Sequence, residues 1–351
     1  MSSLSDIYDD MTERAMDLEF DRVLEHLGEK PLRVVTVCSG TESPLLAFEM
    51  VQKTLKEKFV REFNVEHLFS AEIVPFKQAY IERNFHPRFL FRDVTELKDR
   101  VAQTAYGSVE KIPKDPDILI AGFSCVDFSV LNNNRKTLDE KGESGGTFWG
   151  IIRYAVTYKP RLVVLENIKS APWDEIKAKW NEIGYFAIHM AVDTKAYYLP
   201  QTRERGYMFC VRRELLEKHG LLESDMEQWL AIFAGFKRPA SSPAGMFLMD
   251  NDDRRLEQIE KDMAAYITSP SSAKTPVSWA KYQVRHQGYR LEKNLGHKRP
   301  VSRSQEDGMC QMPDFSWQAY VRSLPERVWD TIDANFLRKL GENGYDMNYK
   351  E

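Results

Sequence analysis

The sequence predicts an α/β fold built on an open, doubly wound and mostly parallel sheet. Short β-branched runs alternate with helical patterns from Arg33 to Val211, and this alternation is typical of parallel βαβ units. Glycines and polar residues follow directly after several of these runs. Because ligands bind at the carboxyl ends of the strands in open α/β sheets, we expect a binding site at that edge.

The elements follow one another in a regular order. Residues 1–30 have a charged, helical pattern, and the strand RVVTV then leads into a glycine-bearing turn. The next helix is expected to have Ser43 as its N-cap and Pro44 in its first turn. Three more strand patterns follow, VEHLFSAEI, DILIAGF and RLVVLENI, and helical patterns come after the first and the last of them. The sequence therefore predicts a helical leader over 1–30, an α/β domain over 31–212 and a further region over 213–351.

Composition limits the classes of protein that this chain can represent. Its 351 residues are 42% hydrophobic and 29% charged, as in an ordinary globular protein, and no apolar run is long enough for a membrane span. A net charge of −4 does not attract a polyanion overall, so a nucleic-acid partner needs a local basic surface. The chain has four cysteines, Cys38, Cys125, Cys210 and Cys310. Their spacing is not typical of disulfides or of metal sites. The sequence therefore predicts reduced thiols inside a cell and no bound metal.

Three polar groups are candidates for chemistry. Cys125, in AGFSCVDFS, follows a strand, although a cysteine there is more often a small buried hydrophobe. Glu166 and Asn167 end the strand RLVVL and could instead cap a helix. Gln201, Arg203 and Arg205 alternate along an extended segment and therefore share one face, although such a run can also be a solvated strand end.

A long polar and glycine-rich stretch follows the cysteine. It covers residues 132–150, and its position directly after a candidate nucleophile predicts a lid. We expect the thiol, the carboxylate with its amide, and the guanidinium groups to lie each at the carboxyl end of its own strand. Together they are the groups needed to attack an unsaturated ring and to hold the charge that develops.

With these motifs in this order, residues 33–211 resemble the cytosine-5 DNA methyltransferases. The family's Pro-Cys-x-x-x-Ser loop corresponds to residues 124–129, its Glu-Asn-Val to 166–168 and its Gln-x-Arg-x-Arg to 201–205. The resemblance implies a Rossmann-like, S-adenosylmethionine-dependent methyltransferase fold, with 31–212 as the catalytic domain and 213–351 as a target-recognition region. The catalytic residues that it implies are Cys125, Ser129, Glu166, Asn167, Gln201, Arg203 and Arg205.

The same resemblance implies a site for S-adenosylmethionine. The loop after the first strand would wrap the methionine part, Glu72 would bind the ribose hydroxyls, Asp93 would bind the adenine, and Val94 would pack on its ring. The cofactor-binding residues implied in this way are Cys38, Ser39, Gly40, Thr41, Glu42, Glu72, Ile73, Asp93, Val94 and Ser124.

The chain also departs from the family pattern. Ser124 stands where the family has proline, Val126 where it has glutamine, and Glu42 where it has a second glycine. We do not find the family's ninth motif or its final Gly-Asn-Ser/Ala motif, so we expect a fragment of a longer protein or a degenerate member. Two alternatives therefore stay open: a non-catalytic DNA-binding or chromatin-binding module, and a tRNA cytosine-5 methyltransferase.

The expected partner is double-stranded DNA with one cytosine flipped out of the helix. Residues 281–303 carry seven Lys or Arg against one acid, with tyrosines between them, although a solvated basic loop is the simpler interpretation. We expect the protein to be nuclear in a eukaryote and otherwise cytoplasmic, without membrane contact. The predicted DNA-binding residues are Arg285, Arg290, Lys298 and Arg299.

Overall fold

The computed structural model describes residues 3–128, 136–139, 142–239, 241–242, 244–249 and 252–268. The chain divides into two compact units, Met1–Leu248 and Met249–Glu351. Every strand and all but the last helix below belong to the first unit. The division into parts at residues 30 and 212 remains a prediction.

The sheet confirms the predicted fold class. The strands of the described residues are β1 (Leu32–Val37), β2 (Val65–Ala71), β3 (Leu90–Phe91), β4 (Val101–Gln103), β5 (Val109–Lys111), β6 (Ile118–Gly122), β7 (Leu162–Ile168), β8 (Tyr185–Asp193) and β9 (Glu204–Arg212). Seven of them form one sheet in the order β3-β2-β1-β6-β7-β9-β8, and β4 and β5 form a separate antiparallel pair. All pairs from β3 to β7 are parallel, whereas β9 is antiparallel to both of its neighbours.

Helices lie between the strands, before the first strand and after the last strand. They are α1 (Leu4–Asp17), α2 (Phe20–Leu27), α3 (Ser43–Thr54), α4 (Pro75–Phe85), α5 (Glu143–Tyr158), α6 (Trp173–Glu182), α7 (Arg213–His219), α8 (Glu223–Met226), α9 (Gln228–Gly235) and α10 (Arg254–Thr268). The parallel pairs β1–β2 and β6–β7 are joined through α3 and α5, which gives the predicted βαβ units. Helix α10 is the described element of the second unit.

The start of α3 differs from the prediction in one detail. The residue before the helix is Glu42, in the left-handed conformation at φ +54°, and Ser43 is already the first helical residue. Ser43 therefore does not cap the helix; its hydroxyl lies 3.3 Å from that of Thr41. Pro44 occupies the first turn as expected, because a proline there removes only an N–H that has no helical partner.

The core is built from large side chains between the sheet and its helices. Phe69 of β2 contacts Phe91 and Tyr154 edge to face, at centroid distances of 5.1 and 5.8 Å. Trp180 of α6 packs on Tyr185 of β8 at 5.1 Å, and both side chains are buried. These interlocked rings hold α5 and α6 against the sheet, and such contacts contribute about 0.5–1.5 kcal/mol per pair beyond the area that they bury.

The leader consists of two helices that are packed into the first unit. Leu24 of α2 is buried in a cluster with Leu55 and Phe63, which follow α3. At its other side, α1 is tied to later parts of the chain through Asp10, whose carboxylate accepts hydrogen bonds from Arg238 at 3.0 and 3.1 Å and from the hydroxyl of Tyr198 at 2.5 Å.

Candidate functional site

A cavity of about 390 Å³ opens at the carboxyl edge of the parallel strands. It takes residues from the ends of β1, β2, β6 and β7, from the start of β9, and from the first turns of α4 and α5. Its lining residues are Cys38, Glu72, Ile73, Val74, Lys77, Gly122, Phe123, Ser124, Cys125, Val126, Glu143, Thr147, Glu166, Asn167, Ile168, Arg203 and Arg205. Predicted catalytic residues and predicted cofactor residues thus line the same cavity.

The cysteine loop leaves β6 at a point where neighbouring strands come close. A Cβ atom built on Gly122 would lie 3.2 Å from the carbonyl oxygen of Cys38 and 3.6 Å from Oε2 of Glu166. Only a residue without a side chain allows this approach without displacing a neighbour. Glycine at the end of β6 therefore brings the cysteine loop, the Cys38 turn and the end of β7 together.

Asn167 fixes the backbone that carries the cysteine. Its side chain is 2% exposed, and its Nδ2 donates to the carbonyl oxygens of Phe123 at 3.0 Å and Ser124 at 3.4 Å. Its Oδ1 accepts from the N–H of Ile168 at 2.8 Å. Asn167 is thus bonded through both ends of its amide, and it holds the loop directly before Cys125.

The described cysteines differ in their surroundings. Burial raises the pKa of the Cys210 thiol in β9 well above its ordinary value. Burial, reinforced by the carboxylates of Glu72 and Asp93, likewise raises the pKa of Cys38. Cys38 and Cys125 are both half-buried and both line the cavity, whereas Cys210 is buried and does not. Because a thiol with a raised pKa is a poor nucleophile, Cys38 and Cys210 are unsuited to attack, and the motif cysteine Cys125 is the candidate among the described cysteines.

Glu166 and Arg205 form an ion pair in the cavity wall. Nε of Arg205 lies 3.1 Å from Oε1 of Glu166, and the side chains are 25% and 34% exposed. Burial raises the pKa of Glu166, although the positive charges of Arg205 and Arg203 and the hydrogen bond from Arg205 oppose the shift. The carboxyl group therefore keeps a proton to higher pH than an exposed glutamate, which suits it to donate a hydrogen bond.

The arginines line the cavity, but the prediction that they lie at the carboxyl end of a strand is wrong. Arg203 and Arg205 lie at the amino end of β9 rather than at a carboxyl end. Because β9 runs antiparallel to β7, with Arg205 opposite Ile168, its beginning lies at the same sheet edge as the ends of the parallel strands. Gln201 precedes the strand, is exposed, and does not line the cavity.

The predicted cofactor residues are divided between the cavity and its supports. Glu72 is 4% exposed and lines the cavity with Ile73. Its Oε1 accepts from the N–H of Val74 at 3.0 Å and lies 4.0 Å from the ammonium of Lys77. Asp93 accepts from the N–H of Thr95 at 2.8 Å, close enough to Cys38 to affect its pKa, but it is not a lining residue.

Val94 does not face the cavity. It is 6% exposed and belongs to the main core, where α5 comes so near that a Cβ atom on Gly150 would lie 3.0 Å from a Val94 methyl group. This placement gives Val94 a packing role between α5 and the segment after β3.

The turn after β1 contains several residues with positive φ, and the buried carboxylate of Glu42 holds it in place. Cys38, Gly40 and Glu42 all have positive φ, at +54°, +70° and +54°, and no atom lies within 4 Å of a Cβ built on Gly40. Oε1 of the fully buried Glu42 accepts from the Thr36 hydroxyl at 2.9 Å. Burial raises the pKa of Glu42, while the neighbouring hydroxyls, among them that of Thr36, oppose the shift. Apart from Cys38, the predicted residues of this turn (Ser39, Gly40, Thr41 and Glu42) do not line the cavity.

The cavity contains residues that the sequence did not single out. Lys77 lies in the first turns of α4. Glu143 and Thr147 belong to the stretch 132–150 that was predicted as a lid, but residues 143–150 are helical and form the first turns of α5, so this part of the lid prediction is wrong. Helices that follow strands begin at the ligand-binding edge of such a sheet, and this rule could have indicated them.

Ser129 and the predicted DNA contacts Arg285, Arg290, Lys298 and Arg299 lie outside the described residues.

No three His, Cys, Asp or Glu side chains of the described residues are grouped as a metal ion requires. Nor does any helix in this part of the chain have the length and apolar character of a membrane span.

The mostly parallel sheet with a cavity at the carboxyl ends of its strands is the Rossmann-like fold that S-adenosylmethionine-dependent methyltransferases use. The family model of the C-5 cytosine-specific DNA methylases matches residues 32–309. The chain belongs to this family, as its motifs predict.

Two fungal proteins are similar over nearly the whole chain. The chain is 40% identical over 353 residues to the DNA (cytosine-5-)-methyltransferase DMT5 of Cryptococcus neoformans var. grubii serotype A, aligning 100% of its own length with 14% of that protein. It is 32% identical over 394 residues to DMT5 of Verticillium dahliae, aligning 96% of its length with 16% of that protein. Among solved structures, the S. pombe Dnmt2 methyltransferase matches 52% of this chain with 51% of its own, at 18% identity and a TM-score of 0.37.

Proposed function

We propose that this chain transfers a methyl group from S-adenosylmethionine to C5 of cytosine in DNA, through a covalent bond between Cys125 and C6 of the base. One observation carries the proposal. A single cavity is lined by the half-buried Cys125, by the Glu166–Arg205 ion pair and by the buried carboxylate of Glu72. The nucleophile, the groups that bind the base and a group suited to a nucleoside ribose thus share one space.

The chemistry of the lining fits the cofactor. A buried carboxylate such as Glu72 offers oxygens to the hydroxyls of a ribose, and the space beside Gly40 is open. The cofactor, when bound, supplies a methyl group activated by its sulfonium. The chain's own part would be to hold the nucleoside of the cofactor at Glu72 and Ile73, in the same cavity as Cys125.

The cysteine makes the base reactive. C5 of cytosine is a weak nucleophile, so the thiolate of Cys125 first adds to C6 and leaves C5 electron-rich. A protonated Glu166, favoured by its raised pKa, donates to N3 of the ring, and Arg205 supports the carboxyl group and the developing charge. After C5 has gained the methyl group it loses its proton to a base, and the bond between C6 and sulfur breaks to release Cys125.

The proposal includes flipping of the cytosine out of the double helix. Cys125 lies in the wall of a cavity, and a base stacked inside a duplex does not reach it, so flipping at a cost of a few kcal/mol is part of the proposal. Contacts with the DNA backbone offset this cost. We also propose a nuclear location, on the strength of the fungal DNA methyltransferases to which the chain is similar.

The experiment uses a DNA duplex with 5-fluorocytosine, because fluorine does not leave C5 as a proton does and the adduct is trapped. The chain is incubated with this DNA and S-adenosylmethionine and run on a denaturing gel. We expect a shifted band with the wild type and with Cys210→Ala, which removes a thiol remote from the cavity, but none with Cys125→Ala. The absence of an adduct from folded wild-type chain that binds the same DNA would refute the proposal.

A further inference from the structure

The cysteine loop is attached to the beginning of α5 by side-chain hydrogen bonds on both sides of Cys125. The hydroxyl of Ser124 donates to Oε1 of Glu143 at 2.7 Å. The backbone N–H of Asp127 donates to the hydroxyl of Ser144 at 2.9 Å. In return, Oδ2 of Asp127 accepts from the N–H of Ser144 at 2.8 Å. The residues directly before and two after the cysteine are thus bonded to the first two residues of one helix.

Asp127 takes the place of an N-cap for this helix. The residue before α5 is Gly142, which has no side chain to satisfy the free N–H groups of the first turn. The carboxylate of Asp127 supplies the acceptor from another segment, and its negative charge lies at the positive end of the helix dipole. A Cβ atom on residue 142 would overlap this carboxylate, so glycine there makes room for the substitute cap.

The hydrogen bonds between Asp127 and Ser144 are buried, and aromatic contacts reinforce the attachment of the loop to α5. Asp127 is 6% exposed and Ser144 is fully buried, so their bonds are shielded from competition with water. Phe123, before the cysteine, packs edge to face on Phe128 at a centroid distance of 6.4 Å and lies 5.8 Å from Phe148 of α5. Loop and helix therefore form one packed unit.

Ser124 belongs to this chain's own version of the loop. A proline at position 124 would restrict the backbone through its ring but would have no hydroxyl to donate. Serine leaves the backbone freer, and the bond to Glu143 restores the constraint from outside the loop. Glu143 and Ser124 both line the cavity beside Cys125, so the tie acts close to the nucleophile.

We propose that Ser124, Asp127, Glu143 and Ser144 are positioning residues that hold Cys125 at the angle required for attack on the base. The inference rests on the proposed function for what Cys125 attacks. The positioning itself is a property of the loop and α5. It is therefore measurable without DNA or cofactor.

The first measurement is the rate at which iodoacetamide alkylates Cys125, followed by mass spectrometry of the peptide that contains it. Ser124→Ala, Glu143→Ala and Asp127→Ala release the loop, so Cys125 becomes alkylated faster. Cys210 is fully buried in β9 and reports global unfolding in the same sample. Its alkylation stays slow in every variant whose fold is intact.

The second measurement is the rate of adduct formation with the 5-fluorocytosine duplex. Misplacement of a reacting group by a fraction of an ångström to 1 Å lowers this rate by about 10- to 100-fold. Ser124→Thr keeps the hydroxyl and Glu143→Gln keeps an acceptor oxygen, so both stay closer to the wild type than the alanine variants. Ser3→Ala, which removes the N-cap hydrogen bond of α1 far from the cavity, is the matched control and changes neither rate.

The double variant Ser124→Ala/Glu143→Ala separates a shared bond from two independent effects. If the pair acts through its hydrogen bond, the double variant reacts no more slowly than the slower single variant. The inference is overturned if the double variant loses adduct-formation rate by the product of the two single losses. It is also overturned if Cys125 is alkylated at the wild-type rate in all three single alanine variants. If the wild type gives no adduct, the proposed function fails, and the alkylation rates still decide whether these residues position Cys125.

Discussion

At the scale of single residues, Glu166 shows how its surroundings set the chemistry of a side chain. Burial favours its neutral form, and two arginines limit the shift without removing it. A carboxyl group in this state donates a hydrogen bond at lower pH and loses this ability as the pH rises. The cavity therefore contains a carboxyl group whose hydrogen-bond-donating form disappears on the alkaline side.

The pH dependence of Glu166→Gln tests this role. Glutamine donates through its amide at every pH, whereas wild-type Glu166 donates only when protonated. Single-turnover rates between about pH 5 and pH 9 are therefore expected to show a ratio of wild type to variant that falls as pH rises. A ratio that is independent of pH would contradict the donor role.

Removal of the Glu72 carboxylate tests the cofactor half of the cavity. We expect Glu72→Ala to weaken binding of S-adenosylhomocysteine by about 1–3 kcal/mol, because two ribose hydroxyls lose a buried acceptor. Isothermal titration calorimetry measures the affinity. Glu57→Ala changes an exposed carboxylate outside the cavity and should bind as the wild type does. Equal affinity of the Glu72→Ala variant and the wild type would exclude Glu72 as a contact.

The sequence motifs predicted more of the residues that line the cavity wall around Cys125 than of those that lie on the neighbouring helices. Cys125, Glu166 and Arg205 lie in short local motifs, and all three line the cavity. Glu143 and Lys77 were missed because their roles depend on neighbours 19 and 5 residues away, which only the fold brings together.

At the scale of elements, the direction of β9 was the main surprise. An alternating apolar pattern indicates a strand but not whether it runs parallel or antiparallel to its neighbour. The short connection from β8 to β9 contains no helix that could return the chain for a parallel strand. This feature of the sequence could have indicated an antiparallel pair, and it places the arginines at the correct edge.

Gly206, the third residue of β9, gives a stability prediction. Gly206 is buried, and a Cβ atom there would overlap the indole of Trp173. The indole is held by a hydrogen bond from its Nε1 to the carbonyl of Ile168 at 3.2 Å and stacks on His189. We expect Gly206→Ala to lower the free energy of unfolding by about 1–3 kcal/mol, measured with urea. A variant as stable as the wild type would show that Trp173 has room to move.

The link between α1 and later residues predicts a loss of stability in acid. The hydrogen bonds from Arg238 lower the pKa of Asp10, against the effect of its burial, and Tyr198 lowers it further. A lowered pKa stabilises the fold above the unfolded-state pKa of about 4, and this gain is lost as pH falls through the lower folded-state value.

The test compares Asp10→Asn with the wild type by urea unfolding. Because Arg238 is 41% exposed, we expect a difference of only about 0.5–1 kcal/mol at neutral pH, shrinking towards zero in strong acid. Glu19→Gln, at the exposed pair with Arg22, is the control and should show almost no difference at either pH. A difference for Asp10→Asn that persists in acid would point to packing rather than charge.

At the scale of the whole molecule, charge and size bear on DNA binding. The chain spans only 14% and 16% of the two fungal proteins to which it is similar. Its own net charge is −4, so attraction to DNA has to come from local basic surface. The sequence predicts such a surface over residues 281–303. This part of the chain lies outside the described residues, and the prediction rests on composition alone.

Salt dependence of DNA binding tests this surface. The variant changes the basic residues Arg285, Arg290, Lys298 and Arg299 to alanine. Each phosphate contact that is lost should reduce the slope of log affinity against log salt by about 0.9, so binding weakens for all DNA sequences and depends less on salt. The control changes four exposed lysines that precede strands β1, β2, β6 and β7 at the opposite sheet edge, namely Lys30, Lys56, Lys114 and Lys159.

Both variants lose four positive charges and take the net charge from −4 to −8, so a general effect of charge would appear in both. We expect the slope to fall in the first variant alone, measured by fluorescence anisotropy over a series of salt concentrations. Circular dichroism confirms that the α/β fold is intact in each. Equal salt slopes for the wild type and the first variant would mean that DNA contacts other residues of the chain. An equal reduction of the slope in both variants would mean that the position of the removed positive charges is unimportant.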